Sequence, residues 1–67
     1  MTVENVKKAI QLCGDKLFTI QTTSNSNFFK ARIKEITYDG DLVIIEDING
    51  QKFYVDATDI NIISTTA

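Results

Sequence analysis

The stretch that decides the fold is FFKARIKEITYDGDLVII, residues 28–45. In its first half apolar and basic residues alternate, which predicts a strand over about residues 28–37. The side chains expected to point inward are Phe29, Ala31 and Ile33, and those expected to point outward are Lys30, Arg32 and Lys34. Because the apolar phase shifts at Ile36, a bulge or sharp bend is expected near residues 34–35.

The remaining strands follow from turn residues and alternation on either side of this stretch. Residues 38–41, Tyr-Asp-Gly-Asp, supply a turn into a strand over about residues 41–48 that is apolar on both faces. Asn49-Gly50 predicts a two-residue hairpin, since both central residues of such a turn need positive φ. Further strands are expected over about residues 16–23, 51–56 and 60–63, with a frayed tail at residues 64–67.

An amphipathic helix is predicted at the N-terminus, over about residues 3–13. Thr2 suits the N-cap position, and Glu4 lies in the first turn, near the positive end of the helix dipole. Gly14 is expected to end the helix, because glycine enters the left-handed conformation at little steric cost. The apolar stripe at helical spacing consists of Val3, Val6, Ile10 and Cys13.

These elements predict one domain, residues 1–67, that is mainly β with one N-terminal helix. Five short antiparallel strands, of which the second is strongly bent, are typical of a small barrel. The pattern alone allows an SH3-like or an OB-like barrel, and the number of strands does not choose between them.

Size and composition indicate how so small a domain is stabilised. At 67 residues the chain is near the lower limit of independent stability, where disulfides, metals or oligomerisation usually add support. Cys13 is the only cysteine, so a disulfide within the chain is excluded. The sequence has no histidine, and we expect neither a metal site nor another cofactor. Association with further copies is the support that remains.

Charge and hydropathy narrow the classes of function. The formal net charge is −2, so nucleic acid would have to bind at a local basic patch. No run approaches the roughly 20 apolar residues that span a bilayer, and the N-terminus lacks a secretory signal pattern. We therefore expect a soluble, cytoplasmic protein with no membrane partner. Without a histidine base, a partnered nucleophile or a phosphate-binding glycine loop, we do not expect an enzyme.

Two stretches resemble the motifs of the Sm-like (LSm, Hfq-type) family. Residues 29–44 are similar to the first Sm motif: a small residue, a branched apolar residue two positions later, a bend, a polar loop and an apolar strand. Residues 55–63, Val-Asp-Ala-Thr-Asp-Ile-Asn-Ile-Ile, are similar to the second motif. The order of elements also resembles that of short single-domain members from prokaryotes and their viruses, and the resemblance implies an Sm-like (SH3-like) barrel.

The resemblance further implies a homo-oligomeric ring of about five to seven subunits, in which the fourth strand of one subunit pairs with the fifth strand of the next. A monomer would leave the edges of the strands over residues 51–56 and 60–63 unpaired, which favours the same assembly on physical grounds. The expected interface residues are Phe53, Tyr54, Val55, Asn61, Ile62 and Ile63.

Members of the family usually bind single-stranded RNA at loops that line the ring pore. Carried over by position, the candidate residues are Thr37, Tyr38, Asp39 and Asp41 in the first motif, and Asp56, Ala57 and Thr58 in the second. This chain departs from the family at Thr37 and Asp41, which replace Asp and Asn, and at Asp56 and Ala57, which replace a basic residue and glycine. The Asp56 carboxylate would repel phosphate.

Other candidate residues have a functional and an ordinary interpretation. Lys30, Arg32 and Lys34 could bind phosphates along an outer face, or could be a solvated strand face that discourages aggregation. Tyr38 could stack on a base or act as a half-buried lid. Three functions therefore compete: an RNA-binding ring, a ring that serves as a structural or protein-interaction scaffold, and a monomeric SH3-like adaptor.

Overall fold

The computed structural model describes residues 1–65, which form one helix and six strands joined by turns. The elements are α1 (Val3–Cys13), β1 (Phe18–Thr22), β2 (Asn27–Phe29), β3 (Ile33–Asp39), β4 (Leu42–Asp47), β5 (Lys52–Asp56) and β6 (Ile60–Thr65). Single 3₁₀ turns at Lys30–Arg32 and Ala57–Asp59 join β2 to β3 and β5 to β6. The predicted fraying of Ser64 and Thr65 is wrong, because both residues belong to β6. Thr66 and Ala67 lie outside the described residues.

The strands form two antiparallel sheets, with the orders β2-β1-β6 and β3-β4-β5. The prediction of a mainly β fold with one N-terminal helix is confirmed. The prediction of five strands is wrong, because the turn Lys30–Arg32 divides the expected strand over residues 28–37 into β2 and β3. Within residues 1–65 the two sheets remain separately paired and do not form a closed barrel.

The bend expected near residues 34–35 is confirmed, because the register of β3 against β4 shifts between Ile33 and Glu35. The alternation of inward and outward side chains that was expected before this bend is not observed. The 3₁₀ turn interrupts the strand, so the residues before it follow a different alternation from those after it. Phe28 packs against the core, while Phe29 is 50% exposed. The predicted inward orientation of Phe29 and Ala31 is therefore wrong, since both side chains are exposed.

The helix begins and ends where its capping residues predict. The N–H of Asn5 donates to Oγ1 of Thr2 at 3.1 Å, which satisfies one of the free donors of the first turn. At the other end Gly14 has a φ of +57° and donates its N–H to the carbonyl of Gln11 at 3.2 Å. Within residues 1–65 no helix is long and apolar enough to cross a bilayer.

One hydrophobic core lies between the two sheets and beneath α1. The buried apolar residues are Val6, Cys13, Phe18, Ile20, Val43, Ile45, Ala57 and Ile60. They come from the helix, from both sheets and from the turn at Ala57–Asp59. Folding therefore requires all of these segments together.

Two hairpins use the same three-residue turn with a left-handed third residue. In the first, the N–H of Thr22 donates to the carbonyl of Ser26, and Asn25 has a φ of +66°. In the second, the N–H of Asp47 donates to the carbonyl of Gln51, and Gly50 has a φ of +85°. The prediction of a two-residue turn at Asn49-Gly50 is thus wrong in its length, although the hairpin forms.

Candidate functional site

The structure brings the two candidate loops of the sequence analysis into direct contact: residues 37–41 lie at the end of β3 and in the turn after it, and residues 56–58 at the end of β5 and in the turn after it. Leu42, at the start of β4, pairs with Asp56 at the end of β5. The N–H of Ala57 donates to the carbonyl of Asp41 at 2.9 Å. The loops were expected to share one site because of their resemblance to the Sm motifs, and they are neighbours within a single chain.

Asp56 is exposed, and its carboxylate is engaged by its own turn. Its Oδ1 accepts hydrogen bonds from the backbone N–H of Thr58 at 2.9 Å and from the Thr58 hydroxyl at 2.8 Å. The first of these bonds, followed by the second, lowers the pKa of Asp56 below its ordinary value, with a smaller contribution from the N-terminal ammonium group. The position that is basic in Sm-like proteins, whose motifs the sequence resembles, is therefore a stabilised anion in this chain.

Ala57 is a core residue, with 1% of its surface exposed. Its carbonyl, together with that of Ile60, accepts hydrogen bonds from the ammonium group of Met1, each at 2.9 Å. The contact of Ala57 with a ligand stays a prediction, and its buried side chain leaves only the backbone to make it. The role of Met1 was not foreseen, because no local pattern links residues so far apart in sequence.

Tyr38 lies in β3 opposite Val43, and its ring is half-buried against the core. The Nζ of Lys7 on α1 lies 4.9 Å from the ring centroid, which is a cation–π distance. Burial raises the pKa of the Tyr38 hydroxyl above its ordinary value. Tyr38 therefore lies within a strand and not at a loop tip, and its partial burial agrees with the alternative interpretation as a half-buried lid. The exposed members of these loops are Thr37, Asp39, Asp41, Asp56 and Thr58.

The three basic candidates do not form the continuous outer stripe that alternation predicts. Lys30 and Arg32 lie in the 3₁₀ turn, and only Lys34 lies in a strand. The Nζ of Lys30 lies 5.8 Å from the ring centroid of Phe18, whereas the Nζ of Lys34 lies 3.9 Å from a carboxylate oxygen of Glu46. Each cation has separate surroundings, and a regular track of phosphate contacts is therefore not supported.

Strands β5 and β6 lie at sheet edges, as the interface prediction requires. Within the described residues, β5 pairs only with β4 and β6 pairs only with β1. The outward residues are Tyr54, Ile62 and Asn61, with Tyr54 63% and Ile62 48% exposed. The other three predicted interface residues, Phe53, Val55 and Ile63, are half-buried and pack against the core.

A register shift between β1 and β6 determines which side chains of β6 point outward. Ile60 pairs with Thr22 and is buried, whereas Ile62 pairs with Gln21 on the opposite face of the sheet. Asn61 lies between them, where the register shifts. The irregularity therefore presents an apolar side chain to the surface beside a free strand edge.

A groove of about 390 Å³ lies between the two sheets, beside β2 and the β4–β5 hairpin. Its apolar lining consists of Phe28, Phe29, Ile33, Ile45 and Phe53, and its charged lining residues are Arg32 and Asp47. The rings of Phe28 and Phe53 meet edge to face, with centroids 5.2 Å apart. Sequence analysis missed this groove because its lining comes from several strands. One available signal is that Phe28 and Phe29 cannot both face inward from a single strand.

The described residues contain no group of three or more histidine, cysteine, aspartate or glutamate side chains that could hold a metal ion. Comparison with protein-family models, curated proteins and solved structures finds no match to this chain. The functional interpretation therefore depends on the residues and geometry described above.

Proposed function

We propose that the chain is an Sm-like protein whose identical copies assemble into a closed ring of about five to seven subunits that binds single-stranded RNA. The observation that carries the assembly is the pair of free strand edges at β5 and β6, with exposed Tyr54 and Ile62 beside them. Free edges with apolar neighbours tend to pair with another chain.

The two edges cannot satisfy each other within one subunit. Only the turn Ala57–Asp59 separates β5 from β6, and the two strands belong to different sheets. A head-to-tail contact, in which β5 of one copy pairs with β6 of the next, satisfies both edges of every subunit once the ring closes. An open chain of copies would leave one free edge at each end.

The arrangement of the strands supports the resemblance to the Sm fold. β2 and β3 are two pieces of one bent segment, since only the turn Lys30–Arg32 separates them. Through this segment the β6-β1-β2 sheet continues into the β3-β4-β5 sheet, with α1 preceding both. One chain with a helix, a bent central segment and two terminal edges is the arrangement the proposal requires.

RNA contacts are proposed for basic side chains outside the two candidate loops. The loops carry Asp39, Asp41 and Asp56, whose carboxylates would repel phosphate around a ring axis. The basic residues proposed instead are Lys7 and Lys8 on the exposed side of α1, and Lys30, Arg32 and Lys34 around the bend. Such contacts weaken with added salt, because counterions compete for the same phosphates.

Two measurements test this proposal separately. Native mass spectrometry of the purified chain should show a closed oligomer, and a monomer at high concentration would refute the assembly. Fluorescence anisotropy with oligo-U, oligo-A and mixed RNA at low salt tests the binding. No binding of any of them at micromolar protein concentration, in an intact oligomer, would refute the RNA function alone.

One substitution tests whether the acidic loop limits RNA binding. Asp56→Arg should raise RNA affinity in an intact oligomer, because it restores a cation at the position where the family carries one. Asp15→Arg adds the same charge in the turn after α1 and serves as the matched control. Equal effects of the two variants would mean that the added charge acts through the general field and not through the loop.

A second candidate function is a ring that serves as a scaffold for other proteins without RNA binding. The observation that favours it is the Asp56–Thr58 turn, which stabilises an anion where relatives carry a cation. A protein partner recovered with the purified oligomer, together with absent RNA binding at low salt, would favour this candidate.

A further inference from the structure

The groove beside β2 contains a free strand edge. β2 pairs with β1 on one side, with Ile20 opposite Phe28 and Gln21 opposite Asn27. In an antiparallel pair of strands, hydrogen-bonded and non-hydrogen-bonded residue pairs alternate. The N–H of Thr22 donates to the carbonyl of Ser26, so Gln21 and Asn27 form a non-hydrogen-bonded pair and Ile20 and Phe28 a hydrogen-bonded one. The N–H and carbonyl of Phe28 therefore point at β1. The backbone groups of Asn27 and Phe29 therefore point away from β1, towards the side that the groove occupies.

The end of the groove away from the β1–β2 turn is closed by the β3-β4-β5 sheet. The N–H of Ile48, just after β4, donates to the carbonyl of Arg32 at 3.0 Å and joins the end of the hairpin to the 3₁₀ turn. Between this bond and the β1–β2 turn, β2 offers three residues, or about 10 Å of extended chain. The space is thus suited to a short extended segment.

The floor of the groove supplies apolar contact. Phe28 and Phe53 are half-buried and meet edge to face, and Ile45 beneath them is fully buried. Side chains of an added strand alternate between its two faces, so every second residue would point at this floor. An occupant with apolar residues at alternate positions would cover the exposed parts of both rings.

A cation at the groove that is unpaired among the described residues, Arg32, favours a carboxylate in the occupant. Arg32 is exposed and makes no salt bridge with any residue of 1–65. The other charged lining residue, Asp47, makes no salt bridge with Arg32 and directs its Oδ1 at the N–H groups of Asn49 and Gln51, at 2.9 and 3.0 Å. A carboxylate of the occupant could therefore form a bidentate pair with the guanidinium group of Arg32.

We propose that this groove binds an extended acidic peptide segment of a partner protein, which adds a strand to the free edge of β2. Main-chain hydrogen bonds to Asn27 and Phe29 hold the segment, alternate apolar side chains contact Phe28 and Phe53, and a carboxylate pairs with Arg32. This is strand addition, in which the backbone provides affinity and the side-chain contacts provide specificity. The proposal uses neither the β5 nor the β6 edge and so does not depend on ring assembly.

A peptide fits these observations better than RNA or a second copy of the chain. A free backbone edge offers donors and acceptors at the spacing of another strand, which RNA cannot match. A second copy could supply its free edges at β5 or β6. Ile60–Thr65 contains no acidic residue to pair with Arg32, and the single acidic residue of β5, Asp56, already accepts two hydrogen bonds from Thr58. The acidic peptide satisfies the edge, the floor and the cation together.

The experiment uses a blocked hexapeptide of alternating valine and glutamate, added to the intact chain. Amide hydrogen exchange followed by NMR should slow at Asn27 and Phe29, whose N–H groups gain partners. Exchange at Phe28 should stay unchanged, because its N–H already bonds to β1. Unchanged exchange at Asn27 and Phe29 at saturating peptide would overturn the proposal.

Matched peptides and variants test each part of the recognition. Replacing glutamate by lysine in the peptide, or Arg32 by Gln in the chain, should weaken binding by about threefold to fivefold, as expected for an exposed ion pair. Lys34→Gln removes a neighbouring cation that already faces Glu46 and should change affinity much less. An equal loss for both variants would show that general charge, and not the groove, attracts the peptide.

Two further outcomes would overturn the proposal in favour of another occupant. Protection of Asn27 and Phe29 that rises with protein concentration in the absence of peptide would identify a second copy. Protection by oligo-U or oligo-A, but not by the peptide, would identify RNA. A peptide with N-methyl groups at alternate positions keeps its charge and should lose binding, since it cannot form the main-chain bonds.

Discussion

Asp56 and Thr58 form a closed turn in which a single carboxylate oxygen accepts both the backbone N–H and the hydroxyl of the same residue. Each bond favours the ionised carboxylate, and together they hold the pKa of Asp56 below its ordinary value. The turn connects β5 to β6, so this hydrogen-bonded carboxylate lies between the two free strand edges.

Replacing Thr58 by Val should raise the pKa of Asp56 towards its ordinary value, because one of its two hydrogen bonds is lost. The backbone bond remains, so the pKa should stay somewhat lowered. Titration of the Asp56 carboxyl carbon by ¹³C NMR measures this directly. Thr65→Val, at the end of β6, is the matched control, and identical titration curves for both variants would contradict the assignment.

The same pKa shift predicts how stability depends on pH. A carboxyl group with a lower pKa in the folded chain stabilises the fold above its unfolded pKa of about 4. That contribution is lost as the pH falls through the folded pKa. Asp56→Asn should therefore flatten the acid end of the stability profile, as followed by urea unfolding at fixed protein concentration. An unchanged slope below pH 4 would argue against it.

The burial of Tyr38 predicts that the fold loses stability at alkaline pH. Burial raises the pKa of its hydroxyl in the folded chain, so the unfolded chain ionises first as the pH rises above about 10. Unfolding is favoured in that range. The difference in free energy of unfolding between Tyr38→Phe and wild type should be constant between pH 7 and 9 and should change in favour of the variant above pH 10. A constant margin throughout would contradict the burial argument.

Packing in the core can be tested with two identical substitutions. Ile45 is fully buried, whereas Ile48, three residues later, is 59% exposed. Ile45→Val should reduce the free energy of unfolding by about 1 kcal/mol, because a methylene is removed from a close-packed site. Ile48→Val should change it by less than about 0.5 kcal/mol. Urea unfolding at one protein concentration compares them, and equal losses would contradict the difference in burial between the two side chains.

Assembly through β6 can be tested by adding a charge beside its free edge. Ile62 is 48% exposed, and Ile62→Lys should prevent the proposed oligomer, since lysine on an edge opposes strand pairing. Leu12, on α1, is 77% exposed, and Leu12→Lys should leave the oligomer intact. Native mass spectrometry measures both. An oligomer that persists in Ile62→Lys would place the contact elsewhere.

The helix was predictable to the residue because its limits depend on local chemistry. Thr2 and Gly14 act through their own backbone neighbours, so neighbouring sequence is sufficient to locate them. The bent strand was predicted only in part. Phe28 and Phe29 are both apolar, and nothing local says which of them faces inward once the turn at Lys30–Arg32 interrupts the alternation.

The candidate site was likewise predictable in part, where local motifs determine it, and not where distant segments meet. The proximity of Asp41 and Ala57 followed from the motif resemblance and agrees with the hydrogen bond between them. The burial of Ala57, and the cover of Lys7 over Tyr38, depend on how α1 packs across the sheets. Such contacts between segments distant in sequence have no local signal.

The turn Ala57–Asp59 is hydrogen-bonded to three separate parts of the chain. Ala57 N–H donates to Asp41, the Met1 ammonium group donates to the Ala57 carbonyl, and the N–H of Thr23 donates to the Asp59 carbonyl at 2.8 Å. These hydrogen bonds hold the turn in place and with it the angle between β5 and β6. In a ring of identical copies, that angle would set the curvature and therefore the number of subunits. Each subunit would then determine the size of its own assembly. A variant with a looser turn would form assemblies of mixed size.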